Sequence, residues 1–341
     1  MNITATRRSL LAAGAGALLA TPARAAGTVV VATYGGDYSA LLISEVEKPL
    51  LLPKGIEPSQ TIGQPAERKT KLTAERASRR GSMDVTHLSD TDMFQMAQLG
   101  ALEPVPADAV PNAARAIPAL RKPYSVPHIY SAQVVLYNPD KVPVPPKSYA
   151  DLWDPKYRGR VAIADGNSTS ILFAAALAGG GSMTDWEPAK AKMMALRSLD
   201  CKIYPSNESL AAGWKSEEVW LAPMWLARGF MWKKAGLPMA HVVPAEGATP
   251  VAFEAAVPKN ARNKEDAWAY CNAMLDPRAQ LGFADRMGYV PTVTDAVLPP
   301  DLLAQIGFSP ENQAGFKTYD YEYVNKNAQA MQSFWEKEFK G

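Results

Sequence analysis

The 341-residue chain holds only two cysteines and three histidines. Cys201 and Cys271 stand far apart, and neither has a Cys or His neighbour at ligand spacing, so no metal site is expected. His87, His128 and His241 are equally scattered. No HExxH, CxxC, P-loop or GxSxG pattern occurs. Gly14 and Gly16 fall in the N-terminal apolar stretch and make no dinucleotide fingerprint, so no cofactor is expected either. Ser168 and Ser170 have no base partner close in sequence. Triads assemble in space, so this weakens a hydrolase reading without removing it.

An excess of one charge is also missing, with 36 basic against 34 acidic residues. The first 25 residues read as a removable export signal. Arg7 and Arg8 precede an apolar run over residues 10–20, and Ala23-Arg24-Ala25 presents small residues at a cleavage site. Thr6-Arg7-Arg8-Ser9-Leu10-Leu11 is similar to a twin-arginine signal; an ordinary secretory signal is the alternative. Cleavage takes the formal charge from +2 to −1 and leaves 316 residues. Such a protein has no electrostatic reason to bind nucleic acid or anionic lipid. No later run approaches the ~18 apolar residues of a membrane span. Export permits a disulfide, but twin-arginine export follows folding in a reducing compartment, so two separately buried thiols are the expectation.

What is present is an α/β grammar. Val29-Val30-Val31-Ala32 reads as a buried strand and Tyr34-Gly35-Gly36 as a turn. A helix capped by Asp37 or Ser39 follows, with Leu41, Leu42 and Val46 on one face. Lys54-Gly55-Ile56 turns back to a second strand. Residues 83–88 read as a strand, Ser89-Asp90-Thr91-Asp92 as a capping turn and residues 93–99 as a helix stopped by Gly100. Val161-Ala162-Ile163-Ala164, the polar turn 165–170 and a helix over 171–178 repeat the pattern. Alternation of this kind predicts mainly parallel sheets, and the length predicts two lobes. Ligands of parallel sheets bind beyond the carboxyl ends of strands, where helix N-termini offer free N–H groups; plain capping is the alternative for each loop. Prolines 139, 143, 145 and 146 mark an extended connection. Arg76, Arg79 and Arg80 read as a solvated end of a helix closed by Gly81. Tyr319, Tyr321 and Tyr323 fit an aromatic docking segment before a terminal helix, with phenolate ligation of ferric iron as the alternative.

The motif order adds a family resemblance. Thr33-Tyr34-Gly35-Gly36, Gly100-Ala101-Leu102-Glu103-Pro104, Tyr137-Asn138-Pro139, Tyr149-Ala150-Asp151-Leu152-Trp153-Asp154-Pro155, Pro244-Ala245-Glu246-Gly247-Ala248, Val257-Pro258-Lys259-Asn260-Ala261 and Gly288-Tyr289-Val290-Pro291-Thr292 follow one another. From residue 29 onward the chain resembles the spermidine/putrescine-binding receptors of ABC importers, within the family 1 extracellular solute-binding proteins.

The resemblance implies a two-lobed type II periplasmic binding fold with the ligand cleft between the lobes. Residues 26–133 with 252–297 would form one lobe and 134–251 with 298–341 the other, with crossovers near Val134 and Ala252. It implies a periplasmic, monomeric receptor that binds a small molecule and docks on an inner-membrane ABC permease, and not an enzyme. A solute sensor serving no permease is a further alternative. Carried over residue by residue, the ligand set is Tyr34, Gly35 and Gly36, then Ser89 and Asp90, then Trp225 and Tyr289. Core packing is the competing role for Trp225. Ser168 and Ile171 stand where polyamine receptors place carboxylates, and Val251 and Phe253 where they place a Trp and an Asp. A buried polycation needs paired acids. The expectation is therefore an amine-bearing or zwitterionic solute. Asp90 would take the ammonium, while Arg228 and the N–H groups of Ser168-Thr169 take the acid end. A polyamine is the alternative ligand, and an exported hydrolase the alternative class.

Overall fold

The computed structural model describes residues 27–341, so the predicted signal segment lies outside the described residues. Ten strands run in chain order: β1 (Gly27–Thr33), β2 (Ile56–Ile62), β3 (Val85–Ser89), β4 (Val126–Tyr137), β5 (Ala162–Ala164), β6 (Lys202–Tyr204), β7 (Leu221–Trp225), β8 (Ala240–Val242), β9 (Thr249–Ala256) and β10 (Val290–Pro291). The predicted strands at 29–32, 83–88 and 161–164 correspond to β1, β3 and β5, with ends moved by one or two residues.

β1 pairs in parallel with β2 and β3, and β5 with β6, while a parallel bridge from Val161 to Leu221 joins β5 to β7. Each of these strands runs into a helix: Gly36–Leu41, Pro65–Glu75 and Asp90–Gln98 in the first half, Ser168–Ala178, Asn207–Lys215 and Leu226–Lys234 in the second. Helix N-termini therefore gather at the carboxyl ends of both parallel sets, as βα units require.

β4 and β9 tie the halves together. The first part of β4 pairs with β9 and β10, and residues Gln133 to Tyr137 pair with β7 and β8. Only Tyr130 in β4 is less than fully buried, the signature of a strand covered on both faces. Pro127 sits at its irregularity, where no ladder hydrogen bond is asked of it.

Two sets of cores flank these strands. One contains Val29, Leu42, Val46, Tyr38, Trp268, Phe283 and Tyr289. The other contains Phe173, Trp186, Leu196, Phe334, Trp335 and Phe339, continued by a cluster around Trp214, Trp225 and Val251. The helix Ser168–Ala178 buries Ile171, Leu172, Phe173 and Ala174–Ala176 at once, which its almost wholly apolar sequence allows. Leu41, Leu42 and Val46 are buried together, as their spacing predicts.

One general and three local expectations need correction. The main sheet is mixed and not mainly parallel, because β4 and β9 pair antiparallel with each other and with β3, β7, β8 and β10. Neither Asp37 nor Ser39 caps the first helix. Gly35 is its N-cap without a side-chain bond, and the Ser39 hydroxyl instead donates to Gln60 Oε1 (2.5 Å). Gln60, across the β1–β2 pair, competes successfully for that hydroxyl. The helix before Gly81 ends at Glu75, so Arg79 and Arg80 lie in the following turn, exposed. Tyr321 and Tyr323 do not precede the terminal helix but begin it, at Tyr321–Phe334, because Asp320 caps it by accepting from the Tyr323 N–H (2.9 Å).

Candidate functional site: the seam between the two halves

Tyr34 leaves β1 and Gly36 turns the chain with φ at +62°, a left-handed conformation that suits glycine. The ring of Tyr34 is edge-on to Phe253 (5.7 Å, 88°), and Phe253 is edge-on to Tyr289 (5.5 Å, 88°). Edge-to-face pairs of this kind are favoured by the ring quadrupoles. Phe253 packs against cores on both sides, so this aromatic row crosses the seam.

Guanidinium groups stand at both ends of the row. Arg68, 3 % exposed, lies over the Tyr34 ring at 4.4 Å. Its Nε donates to the His87 carbonyl (2.8 Å), and its Nη1 to those of Thr33 (3.0 Å) and Gly63 (2.6 Å). One side chain thereby clamps the carboxyl ends of β1, β2 and β3. Its Nη2 is buried and has no partner. At the other end Arg228, in the first turn after β7, faces Tyr289 and eases the upward shift that burial imposes on that phenol. Its Nε is also buried and unpartnered, and its nearest acid, the exposed Glu208, is 3.7 Å away.

Trp225 ends β7 and is 8 % exposed, packed in the core that Phe253 borders. Its ladder partner on β4 is Gln133, whose Nε2 donates to Ser170 Oγ (3.1 Å). Asn167 reaches Asn207 Oδ1 (3.3 Å) and Met224 Sδ (3.6 Å). The starts of helices Ser168–Ala178, Asn207–Lys215 and Leu226–Lys234 thus meet beside Trp225 and Arg228. Ser168 and Thr169 are half-buried there, and the cap residue Asn167 makes no side-chain cap bond. Ser170 donates to the Asn167 carbonyl (2.9 Å) and has no histidine beside it. His87 and His128 lie in the first core, bonded to Thr33 and Tyr38, and His241 is on β8.

Ser89 caps its helix by accepting from Asp92 N (3.4 Å). Asp90 follows, 4 % exposed, with both oxygens engaged. Oδ1 accepts from Thr91 N (2.8 Å), and Oδ2 from Tyr321 Oη (3.0 Å) and Ala252 N (3.4 Å). Burial raises its pKa to about 6, against the pull of those bonds and of Lys122. Glu254, one residue past Phe253 and so on the opposite face of β9, is raised to about 8 by burial and by Asp90. Its Oε2 accepts from Ser125 Oγ (2.5 Å) and its Oε1 has no partner. The buried acids therefore stand behind the strand whose other face carries the aromatic row.

The tyrosines of the C-terminal segment diverge. Tyr319 packs on Phe173, Tyr321 bonds Asp90, and Tyr323 Oη accepts from Trp186 N (3.2 Å), which is docking and not a phenolate cluster. Among the described residues no group of three His, Cys, Asp or Glu side chains is placed to hold a metal. Glu246 is structural, its carboxylate accepting from Ser148 Oγ (2.5 Å) and Tyr149 N (3.1 Å).

Tyr34, Tyr289 and Arg228 of the expected ligand set are thus brought into one row, with Trp225 beside it. Asp90 sits behind the row, and Ser168-Thr169 border it from the second half. Two surface depressions, one at Gly63, Arg68 and Lys71 and the other at Leu226, Phe230 and Ala304, contain none of the expected residues. Sequence reading missed Arg68 and Glu254, and named Tyr321 for docking without its partner Asp90. Glu254 left a signal, an acid alternating with Phe253 in an otherwise apolar strand.

Comparison with known proteins agrees with this architecture. The family model for bacterial extracellular solute-binding proteins matches residues 60–310. The spermidine/putrescine-binding periplasmic protein of Escherichia coli K12 is 30 % identical over 241 residues, 68 % of this chain and 67 % of that protein. The solved structure of the Atu4243 GABA receptor superposes with a TM-score of 0.80 at 20 % identity, over 91 % of this chain and 96 % of the other. The binding protein AgtB of A. tumefaciens R10, solved with agropinic acid, gives 0.78 at 21 % identity, over 92 % and 99 %. These neighbours share the two-lobed periplasmic binding fold.

Proposed function

The chain belongs to the bacterial extracellular solute-binding proteins, and from that premise we propose that its ligand is a small organic acid bearing an amine, held at the seam between the lobes. The protein is the substrate-binding component of an ABC importer. Its lobes are residues 26–133 with 252–297 and residues 134–251 with 298–341, and β4 and β9 are the segments that cross between them.

The observation that carries the ligand class is Arg228. A guanidinium whose Nε is buried and unpartnered, and whose one acid is the exposed Glu208 in a long 3.7 Å ion pair, has donors left for a further anion. Arg is suited to fork-like pairing with a carboxylate. The N–H groups at Ser168-Thr169 add donors of the same sense. The ammonium meets the faces of Trp225, Tyr34 and Tyr289, contacts worth about 0.5–2 kcal/mol each. Gly35, Gly36 and Ser89 complete the first-lobe edge. Asp90, with both oxygens engaged by the protein, supplies a field from behind and not a direct bond. The polyamine named for the E. coli relative is the second reading, and the buried acids Asp90 and Glu254 are what favours it.

The test is calorimetry of the mature protein with γ-aminobutyrate and with putrescine, repeated on Arg228→Gln. The variant is expected to weaken the amino acid by about 1.5–3 kcal/mol, the scale of a charged hydrogen bond. Micromolar putrescine binding that is indifferent to Arg228→Gln overturns this reading in favour of the polyamine. The ligand is released unchanged: Ser170 bonds the Asn167 carbonyl and Gln133, and neither is a base. Conversion of bound ligand, abolished by Ser168→Ala, would make the protein a hydrolase instead.

The protein acts in the periplasm as a monomer that docks on an inner-membrane permease. Export depends on Arg7-Arg8, and the mature chain begins at Ala26. N-terminal sequencing of periplasmic protein tests the cleavage. Normal export after replacing both arginines with lysine would leave only an ordinary secretory signal.

A further inference from the structure

The aromatic row ends in a second guanidinium, and that group bears on ligand charge. We propose that Arg68 is a specificity-determining positioning residue: its buried cation behind Tyr34, added to Arg228, makes the ligand face of the cleft electropositive and selects solutes of net negative charge.

Arg68 donates to three carbonyls at the ends of three strands and interacts with the Tyr34 side chain, and among the described residues it forms no ion pair with a carboxylate. Its charge is therefore met mainly by carbonyl dipoles, with the side chain nearly buried at the edge of the depression it shares with Glu67 and Lys71. The acids nearby do not cancel it. Asp92, which acts on Tyr34, is paired with Lys69 (2.6 Å). Asp37, in the first turn of the helix Gly36–Leu41, is exposed, so solvent screens it. Glu254, behind β9, is held toward its neutral form by burial, while Asp90, raised only to about 6, keeps its charge at neutral pH but directs it at Thr91 N, Tyr321 Oη and Ala252 N. Burial also raises the Tyr34 phenol, so it stays a neutral donor, and Arg68 pulls it the other way. With its Nη2 sealed from solvent, Arg68 acts on a ligand through the Tyr34 ring and hydroxyl and not by contact.

This inference rests on the site proposed above but sharpens it, because a zwitterion alone does not need two cations. Three probes of matched length separate the cases: succinate, γ-aminobutyrate and putrescine, carrying charges of about −2, 0 and +2 at neutral pH. Calorimetry on the wild type is expected to place both acids, succinate and γ-aminobutyrate, above putrescine. Arg68→Gln is expected to shrink the succinate-to-putrescine affinity ratio by tenfold or more. Arg68→Lys keeps the charge but loses the fork, so it is expected to lower the melting temperature while keeping the ranking. Equal weakening of all three probes by Arg68→Gln would make Arg68 merely structural and overturn the inference. If Arg68→Gln does not fold, the lysine variant decides, since loss of ranking with the charge retained has the same meaning. An Arg228→Gln effect without an Arg68 effect sinks this inference and leaves the proposed site standing. A wild-type preference for putrescine, or no binding of any probe, sinks both.

Discussion

The Tyr321 hydroxyl donates to Asp90 Oδ2 over 3.0 Å, joining the start of the C-terminal helix to the start of the helix after β3. The two residues are 231 positions apart, and their helices pack directly against each other. The Tyr321 ring also stacks on Phe94 (5.6 Å, 24°) and lies under the Lys122 ammonium (4.3 Å).

Tyr321→Phe keeps the stack and the cation contact and deletes only the hydroxyl. Asp90 then retains only backbone donors in a buried site. The expected loss is about 1–3 kcal/mol of stability, read by urea denaturation. An unchanged midpoint would mean that the bond contributes nothing across the seam.

Glu254 and Asp90 give the protein a pH signature. Both carboxyls are raised in the folded state, Glu254 to about 8 and Asp90 to about 6, by burial first. A carboxyl with a raised folded pKa favours the fold fully below its unfolded value and loses that contribution as the pH climbs through the folded value. Stability should therefore fall between about pH 5 and pH 8, with Glu254 giving up to about 1.4 kcal/mol per unit. Glu254→Gln can still accept from Ser125 and should flatten that fall. Melting curves at pH 5 and pH 8 test it, and parallel losses in variant and wild type would contradict it.

Gly247 has φ at +99°, and a Cβ there would stand 2.1 Å from the Gly315 carbonyl oxygen. The neighbouring loop is pinned by Lys317 N donating to the Ala248 carbonyl (2.9 Å), so it has little room to give. Gly247→Ala is expected to cost at least about 2 kcal/mol, combining a left-handed alanine with a backbone clash. Thermal denaturation reads this directly.

Cys271 is buried in the first core, while Cys201 packs at the edge of the second, and both are free thiols. Burial pushes the Cys201 thiol up to about 12 and that of Cys271 higher still. Neither is expected to react with a thiol reagent at pH 8 until the protein is unfolded, because the thiolate is the reactive form. Reducing agent should leave the melting temperature unchanged.

Local rules in the sequence determined much of the architecture. β-branched runs bounded by Gly, Ser and Asp marked β1, β3 and β5, because burial on both faces and turn chemistry act over a few residues. The apolar spacing of Leu41, Leu42 and Val46 marked a helix face for the same reason. The order of Gly- and Pro-containing motifs carried the family, and with it the expectation that Tyr34 and Tyr289 face the ligand. Tertiary structure alone decided that Asp90 is spent on Tyr321 and Ala252, that Glu254 is a buried acid behind Phe253, and that Arg68 clamps three strand ends beneath Tyr34. Each of those facts depends on which residues distant in sequence meet across a sheet. A helix position reads as polar or exposed from its own neighbours, but its charge takes its meaning from whatever the folded chain sets against it.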